Sequence, residues 1–524
     1  QPRESSPACH PSTGPGAEDG RRRPQRVVSA AGTAGFTMPG AQAGQDKTGA
    51  HSPARDARVL RGPRATPNHL LIWTKLGVHW ELPTRLPRRP PSLEALLAQA
   101  GGLHEAMPVL AQLAQTSGGD RYLHWDELRR RPAPQGLSHE QWWLAEKLSR
   151  RGTGTPLPLL SSERTPFWFC QPPLLLKALH EIDMKAGASV MAPEAVTTPS
   201  TRDRYLLSSL MEEAITSSQM EGAATTRDVA KAMIRSHRAP RDRSEQMILN
   251  NFRTMQRIRE LKDHSLTPQL VLDLHQLVSE KTLDDPADAG RLRPPGMEVV
   301  VDDIYGTVFH VPPAATELEE RLEQLCRFAN GETPAVFIHP VLRAITLHFW
   351  LAYDHPFCDG NGRTARALFY WSMLKQGCWL FEFISISSVI NQARAKYERS
   401  FLLCETDDND LTYFLLAQVE VIQQAITNLH SYLERKANEV AVLQRRVEGM
   451  DGLNHRQLAL LRHALRHAGF RYTVLSHQSS HGISNQTARS DLQKLAGRGL
   501  LTPEKDGKRD IFRVPADLSA RLQN

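Results

Sequence analysis

Cysteine is scarce in this chain and scattered. The six residues, Cys9, Cys170, Cys326, Cys358, Cys378 and Cys404, follow neither a metal-ligand spacing nor a disulfide rhythm. A cysteine-built metal module and a disulfide scaffold are therefore excluded, and a reducing compartment, the cytoplasm, is the expected setting. Long hydrophobic runs are missing too. No stretch approaches the roughly 18 apolar residues of a membrane span, and no secretory pattern opens the sequence. Strand-like alternation is rare, so the fold is expected to be mainly helical. Close histidine pairs of the kind used by helical metal motifs are absent around His339, His348 and His355, which stand nine and seven residues apart.

What is present is a 524-residue chain, long enough for two to four domains with sizeable cores. Its net charge of +7 suggests a polyanionic partner until the charges are located. Residues 1–65 hold ten Lys or Arg and five Asp or Glu, and so supply +5. This tract is rich in Gly, Pro, Ala, Ser and Arg, has no apolar period, and reads as a disordered tail.

The densest chemistry lies between Tyr353 and Trp371, in YDHPFCDGNGRTARALFYW. Before it, IHPVLRAITLHFWLAYD reads as a buried helix. After it, RTARALFYWSMLKQG reads as a second, with Gly377 as its stop. The DGNG segment between them frees the backbone for a tight turn. The first amides of the second helix then face outward with partial positive charge, which suits an anion. Arg363 and Arg366 are three apart and share a face, and their forks match phosphate oxygens. Asp359 offers a hard oxygen to Mg²⁺, and Asn361 offers a hydrogen bond to phosphate. His355 is placed to take a proton from a hydroxyl, with an imidazole near its free pKa suiting that work. Phe357 is expected to turn into the core. Turn chemistry alone explains an isolated Gly-Asn-Gly, but not the joint presence of His, Asp, Asn and two Arg.

HPFCDGNGRTAR resembles, at every position, the HPFx(D/E)GNGRxxR signature of the Fic family. The resemblance implies a protein adenylyltransferase that moves AMP from ATP, its co-substrate, to a Ser, Thr or Tyr hydroxyl of a target protein. It implies His355 as base and Asp359 as Mg²⁺ ligand. Gly360, Asn361, Gly362, Arg363 and Arg366 would bind the nucleotide. Doc relatives carry Lys where this chain has Gly362 and transfer phosphate instead. UTP in place of ATP, and AMP removal, remain open.

Upstream, RYLLSSLMEEAITSSQMEGAATT has a helical apolar stripe ending at Ser217, Glu221 and Gly222. By itself this is an ordinary helix end with a glycine stop. Beside the family, SSQMEG resembles the (S/T)xxxE(G/N) inhibitory motif. It implies that Glu221 pairs with Arg366 and blocks a terminal phosphate, within one chain or across a homodimer. Val299, Val300, Val301, then Thr307, Val308 and Phe309 read as an isolated β-hairpin, with residues 302–306 between them. An isolated pair invites another chain to its edge, and the family uses such a flap to dock its target.

The expected order is a tail at 1–65, an N-terminal helical region at 66–200, and an inhibitory-helix region at 201–262. A Fic catalytic core follows at 263–410 with its flap at 297–311. A long connector helix spans 411–450. Trp125, Trp142 and Trp143 read as packing anchors, and Tyr397 as a border of the nucleoside. Residues 453–515 resemble a winged helix-turn-helix domain. Ser484 caps its second motif helix and Asp506-Gly507 turns its wing. Gln486, Arg489, Ser490 and Gln493 would face DNA bases, and Lys505, Lys508 and Arg509 phosphates. The alternative is a protein-docking module. The rival function is a DNA-binding regulator whose Fic core senses nucleotide or modifies only itself.

Overall fold

The computed structural model describes residues 85–102, 104, 107–108, 121–187, 199–297, 299–302, 307–507 and 509–522. The tail at 1–65, Lys508 and the hairpin-turn residues 303–306 lie outside the described residues. The fold is mainly α-helical. Among the described residues no helix is long and apolar enough to cross a membrane.

Two helices form the centre, Pro340–Asp354 and Asn361–Lys375, packed side by side. The first starts at His339, whose ring accepts from the Val341 amide, with Pro340 in the first turn. It is buried on almost every face, which is why its sequence is apolar without a polar stripe. Trp350 and Trp371 are fully buried within the same core. The helix Pro199–Met220 lies against Arg243–Glu260 and buries Leu210, Met211, Ala214 and Ile215. Leu210, Met211 and Ile215 each contribute about 1.5–3 kcal/mol on burial.

The N-terminal region is not wholly helical. Thr155–Leu160 and Pro166–Phe169 pair as an antiparallel hairpin. Pro156 and Pro158 disguise the first strand, which has only one ladder partner and tolerates missing amide donors. Phe167 and Phe169 from the second strand enter the main core. Trp125 and Trp143 pack in a small cluster of their own. Lys147, almost fully buried, ties this region to the core through Asp407 at 2.6 Å and Asp408 at 2.8 Å. Arg150 adds a bond to the Tyr413 hydroxyl at 2.9 Å.

The flap is shorter than its sequence suggests. Val301–Asp302 pairs with Val308–His310, while Val299 and Val300 lie outside the strand. Thr307 and Val308 are exposed and Phe309 is half-buried. The connector Thr412–Glu448 buries Leu415, Val419, Ile422 and Ile426 in the main core, and Leu443 and Val447 in a second core.

That second core belongs to three helices, His455–Arg466, Val474–His481 and Asn485–Gly497. A three-stranded antiparallel sheet completes the unit, with Arg509–Arg513 between Arg471–Thr473 and Thr502–Asp506. This is a winged helix-turn-helix arrangement. Buried Asp491 joins the helices by accepting from Asn454, Arg456 and His477. Those donors outweigh its burial and hold its carboxyl below the usual carboxylate range. Gln486, Arg489, Ser490, Gln493, Lys505 and Arg509 are exposed. Arg489 is paired with Asp510 of the wing at 3.1 Å.

Candidate active site

The first motif helix ends at His355 in left-handed conformation, φ 45°. The turn then passes through Gly360, φ 85°, which caps the second helix. Left-handed backbone costs a β-carbon-bearing residue roughly 1–2 kcal/mol, so the surroundings must hold His355 in place. Asp354, one residue earlier, is pinned by Arg321 at 2.6 Å and by the Trp350 indole at 2.9 Å. Within the turn, Phe357 is fully buried and stacks flat on the His275 ring at 3.7 Å.

The His355 Nδ1 meets the Ala352 carbonyl at 3.4 Å. Donation there leaves Nε2 as the unprotonated nitrogen. Sequence suggests an imidazole near its free pKa, whereas the structure holds it down at about 4. Desolvation is the main cause, and the charges of His310 and Arg293 add to it. His310 itself moves the other way. Burial opposes its charge, but Glu405, 2.8 Å from its Nδ1, outweighs burial and raises its pKa.

Asn361 has a structural task beside its sequence reading as a phosphate ligand. Its side-chain oxygen accepts from the Phe357 amide at 2.9 Å, and its nitrogen donates to the Phe357 carbonyl at 2.8 Å. The turn would otherwise bury both backbone groups unpaired, so the carboxamide braces the loop and keeps its second N–H as a further donor. Arg363 is fully buried under the turn. It donates to the Val278 carbonyl at 3.2 Å and lies 3.5 Å from Asp359, and its Nε has no partner among the described residues. Asp359 keeps a partly exposed carboxylate, with Arg243 3.8 Å from Oδ2.

Glu221 sits over the start of the second motif helix. A β-carbon built on Gly362 would collide with its Oε1, so any larger residue there would push the carboxylate from this seat. Arg366 donates to that oxygen at 2.7 Å, to the Ser217 hydroxyl at 2.9 Å and to the Ser217 carbonyl at 3.1 Å. Burial works against the Arg366 charge, but Glu221 outweighs it and raises the pKa. Gly222 follows with φ 92° and ends the helix. Glu213, two turns before Glu221, anchors the helix by accepting from Tyr370 at 2.9 Å and Ser385 at 2.8 Å. Tyr397 turns inward to His348, with 3.1 Å between its hydroxyl and Nε2.

Sequence reasoning passed over His275, Arg293 and Glu213. His275 Nε2 bonds the Asp359 carbonyl at 2.9 Å, while its Nδ1 accepts from the Gly290 amide at 3.1 Å. Burial lowers its pKa to about 4, so the ring is a neutral strut. Nothing in its spacing marks it. Glu213 was readable, since Glu213, Ser217 and Glu221 recur every four residues on one face.

Residues 265–373 match the Fic/DOC family. A protein adenylyltransferase Fic of Nematostella vectensis is 34% identical over 116 residues, covering 22% of this chain and 25% of the relative. Protein adenylyltransferase fic-1 of Caenorhabditis elegans is 34% identical over 107 residues, 20% of this chain and 19% of the relative. The chain thus spans a quarter or less of the curated relatives it matches. A Fic family protein from Desulfovibrio desulfuricans G20 is 20% identical with a TM-score of 0.44, covering 65% of this chain and 96% of that one. The matched segment is a Fic domain.

Proposed function

We propose that the chain is a protein adenylyltransferase, transferring AMP from ATP to a side-chain hydroxyl of a target protein. The observation carrying this reading is the acidic group already seated at the mouth of the second motif helix. Glu221 there meets Arg366 and packs on Gly362, as an anionic phosphate would. His355 Nε2 takes the hydroxyl proton, the oxygen bonds the α phosphorus, and the bond to the pyrophosphate oxygen breaks. Arg363 and Arg366 hold phosphate oxygens and take up charge as it develops. The curated relatives named protein adenylyltransferase favour the same chemistry.

Mg²⁺ fits the residues present. Mg²⁺ needs only one or two carboxylates, with phosphate and water completing its shell. Asp359 would hold it through the carboxylate oxygen that the Gly360 amide leaves open. When bound it would neutralise phosphate charge. Among the described residues no cluster of three acidic, His or Cys ligands forms a cage of its own. The strand Val308–His310, exposed at Val308, would take a segment of the target along its edge. Val299, Val300, Val301, Thr307, Val308 and Phe309 line that flap. Incubation with ATP labelled on the α or the γ phosphate tests the activity. Protein-bound label from the α position alone supports it, and label from the γ position alone indicates a kinase-like reaction instead.

A second reading concerns the winged unit. Residues 453–515 carry eleven Lys or Arg against four Asp or Glu, an excess that the whole-chain balance conceals. This basic surface favours DNA as its partner over an acid-neutral protein face. In a gel shift with a random duplex we expect binding that weakens steeply with salt, and weaker binding after Arg489→Ala with Arg509→Ala. No shift at low salt would leave protein docking as the role.

A further inference from the structure

Arg293 sits outside both sequence motifs, yet among the described residues its hydrogen bonds run to four backbone carbonyls that matter. Its Nε donates to the His355 carbonyl at 3.1 Å, and its own amide donates to the Pro356 carbonyl at 2.9 Å. Its Nη1 reaches the Met297 carbonyl at 3.4 Å, and its Nη2 reaches the Pro313 carbonyl. Met297 precedes the first flap strand and Pro313 follows the second. Arg293 therefore grips the strained backbone of His355 with one edge and both feet of the flap with the other. It is only 4% exposed, and burial lowers its pKa.

We infer that Arg293 is a positioning residue that fixes the flap in register with the His355 imidazole. This rests on the transferase reading. A target segment laid along the flap can present its hydroxyl to Nε2 only if flap and imidazole keep one relative position. Two independent features make the guanidinium suited to that task. His355 is in left-handed backbone, which needs external support. The side chain addresses three carbonyls from three different nitrogens, Nε, Nη1 and Nη2, a spread that a single ammonium nitrogen does not offer. The flap has a separate tie to the motif, since His310 Nε2 bonds the Tyr353 carbonyl at 2.7 Å. Loss of Arg293 should thus loosen the register without releasing the flap.

The test compares Arg293→Lys and Arg293→Met with the parent, each in a Glu221→Gly background. Hydrogen exchange is read at segments 299–302, 307–311 and 355–359, and calorimetry gives the affinity for a non-hydrolysable ATP analogue. Self-labelling from α-labelled ATP gives the transfer rate. We expect both flap segments and 355–359 to lose protection together in both variants. Transfer should fall about 100-fold, the cost of a misplacement near 1 Å, while analogue affinity stays within about twofold; lysine, which keeps the charge, should not restore the rate. Unchanged exchange at 355–359, or a lysine variant that transfers like the parent, would overturn the inference. If the Glu221→Gly parent transfers no label at all, the transferase reading fails instead, and the exchange comparison alone still decides whether Arg293 couples the two segments.

Discussion

His355→Ala is expected to cut transfer of α-labelled AMP by about 10²–10⁴-fold, the range in which a positioned general base contributes. Affinity for ATP should change little. The nucleotide's phosphates are assigned to Arg363, Arg366 and the first turn of Asn361–Lys375, none of which bonds the imidazole directly. The pH profile supplies a second check. A base must be unprotonated, so activity falls as pH drops through its pKa. In the free protein that pKa is depressed to about 4, chiefly by desolvation. The acid limb of kcat/KM should therefore lie near pH 4. A bound triphosphate brings negative charge close to the ring and favours the imidazolium, so the limb of kcat should lie higher. Retained transfer in the alanine variant, or a kcat limb below that of kcat/KM, would contradict the assignment. The proton stays on His355 at this step, and the leaving group needs no general acid, since pyrophosphate is stable when its charge is held.

The parts of this site that were legible in sequence are those whose chemistry is local. Two glycines around Asn361 specify a turn whatever surrounds them, and Gly360 does adopt φ 85°. Ser217 and Glu221 lie one helical turn apart, so their shared face follows from spacing. What stayed hidden depends on partners distant in the chain. Asn361 reads as a phosphate ligand because its amide is polar, and no local pattern reports that it also braces the Phe357 backbone at both of its ends. The His355 pKa is set by desolvation and by His310, 45 positions away, which no local pattern reports. Arg293 lies in RLRPPGM, where an arginine beside prolines looks like a surface loop. The hairpin strand Thr155–Leu160 was masked by two prolines that its edge position tolerates. The basic winged unit vanished in an average, because residues 66–452 are net acidic.

Glu221→Gly is expected to raise self-labelling from α-labelled ATP by at least tenfold and to tighten ATP binding. The carboxylate lies where a terminal phosphate would meet Arg366, and the two cannot share that place. Its charge would also repel an incoming triphosphate within a buried pocket, where the Arg366 and Glu221 side chains are 2% and 6% exposed. A tenfold gain in affinity needs only about 1.4 kcal/mol of relief. The substitution carries a cost that makes it diagnostic. Removing one partner of a buried ion pair destabilises by roughly 3–5 kcal/mol, because Arg366 is left with Ser217 alone. The variant should therefore melt earlier than wild type without nucleotide. Added ATP should then raise its melting temperature more than that of wild type, since the phosphate restores a counter-charge that wild type already has. Glu221→Gln should fall between the two, keeping the hydrogen bond to Arg366 but not the repulsion. Equal label in wild type and Glu221→Gly would remove the inhibitory role. So would a nucleotide-dependent stabilisation no larger in the variant than in wild type. Release in the native chain need not displace the whole helix, because Glu213 holds it through Tyr370 and Ser385 two turns earlier. A rotation of the Glu221 side chain alone would open the anion site, and a partner able to favour that rotation would be sufficient to release the proposed transfer.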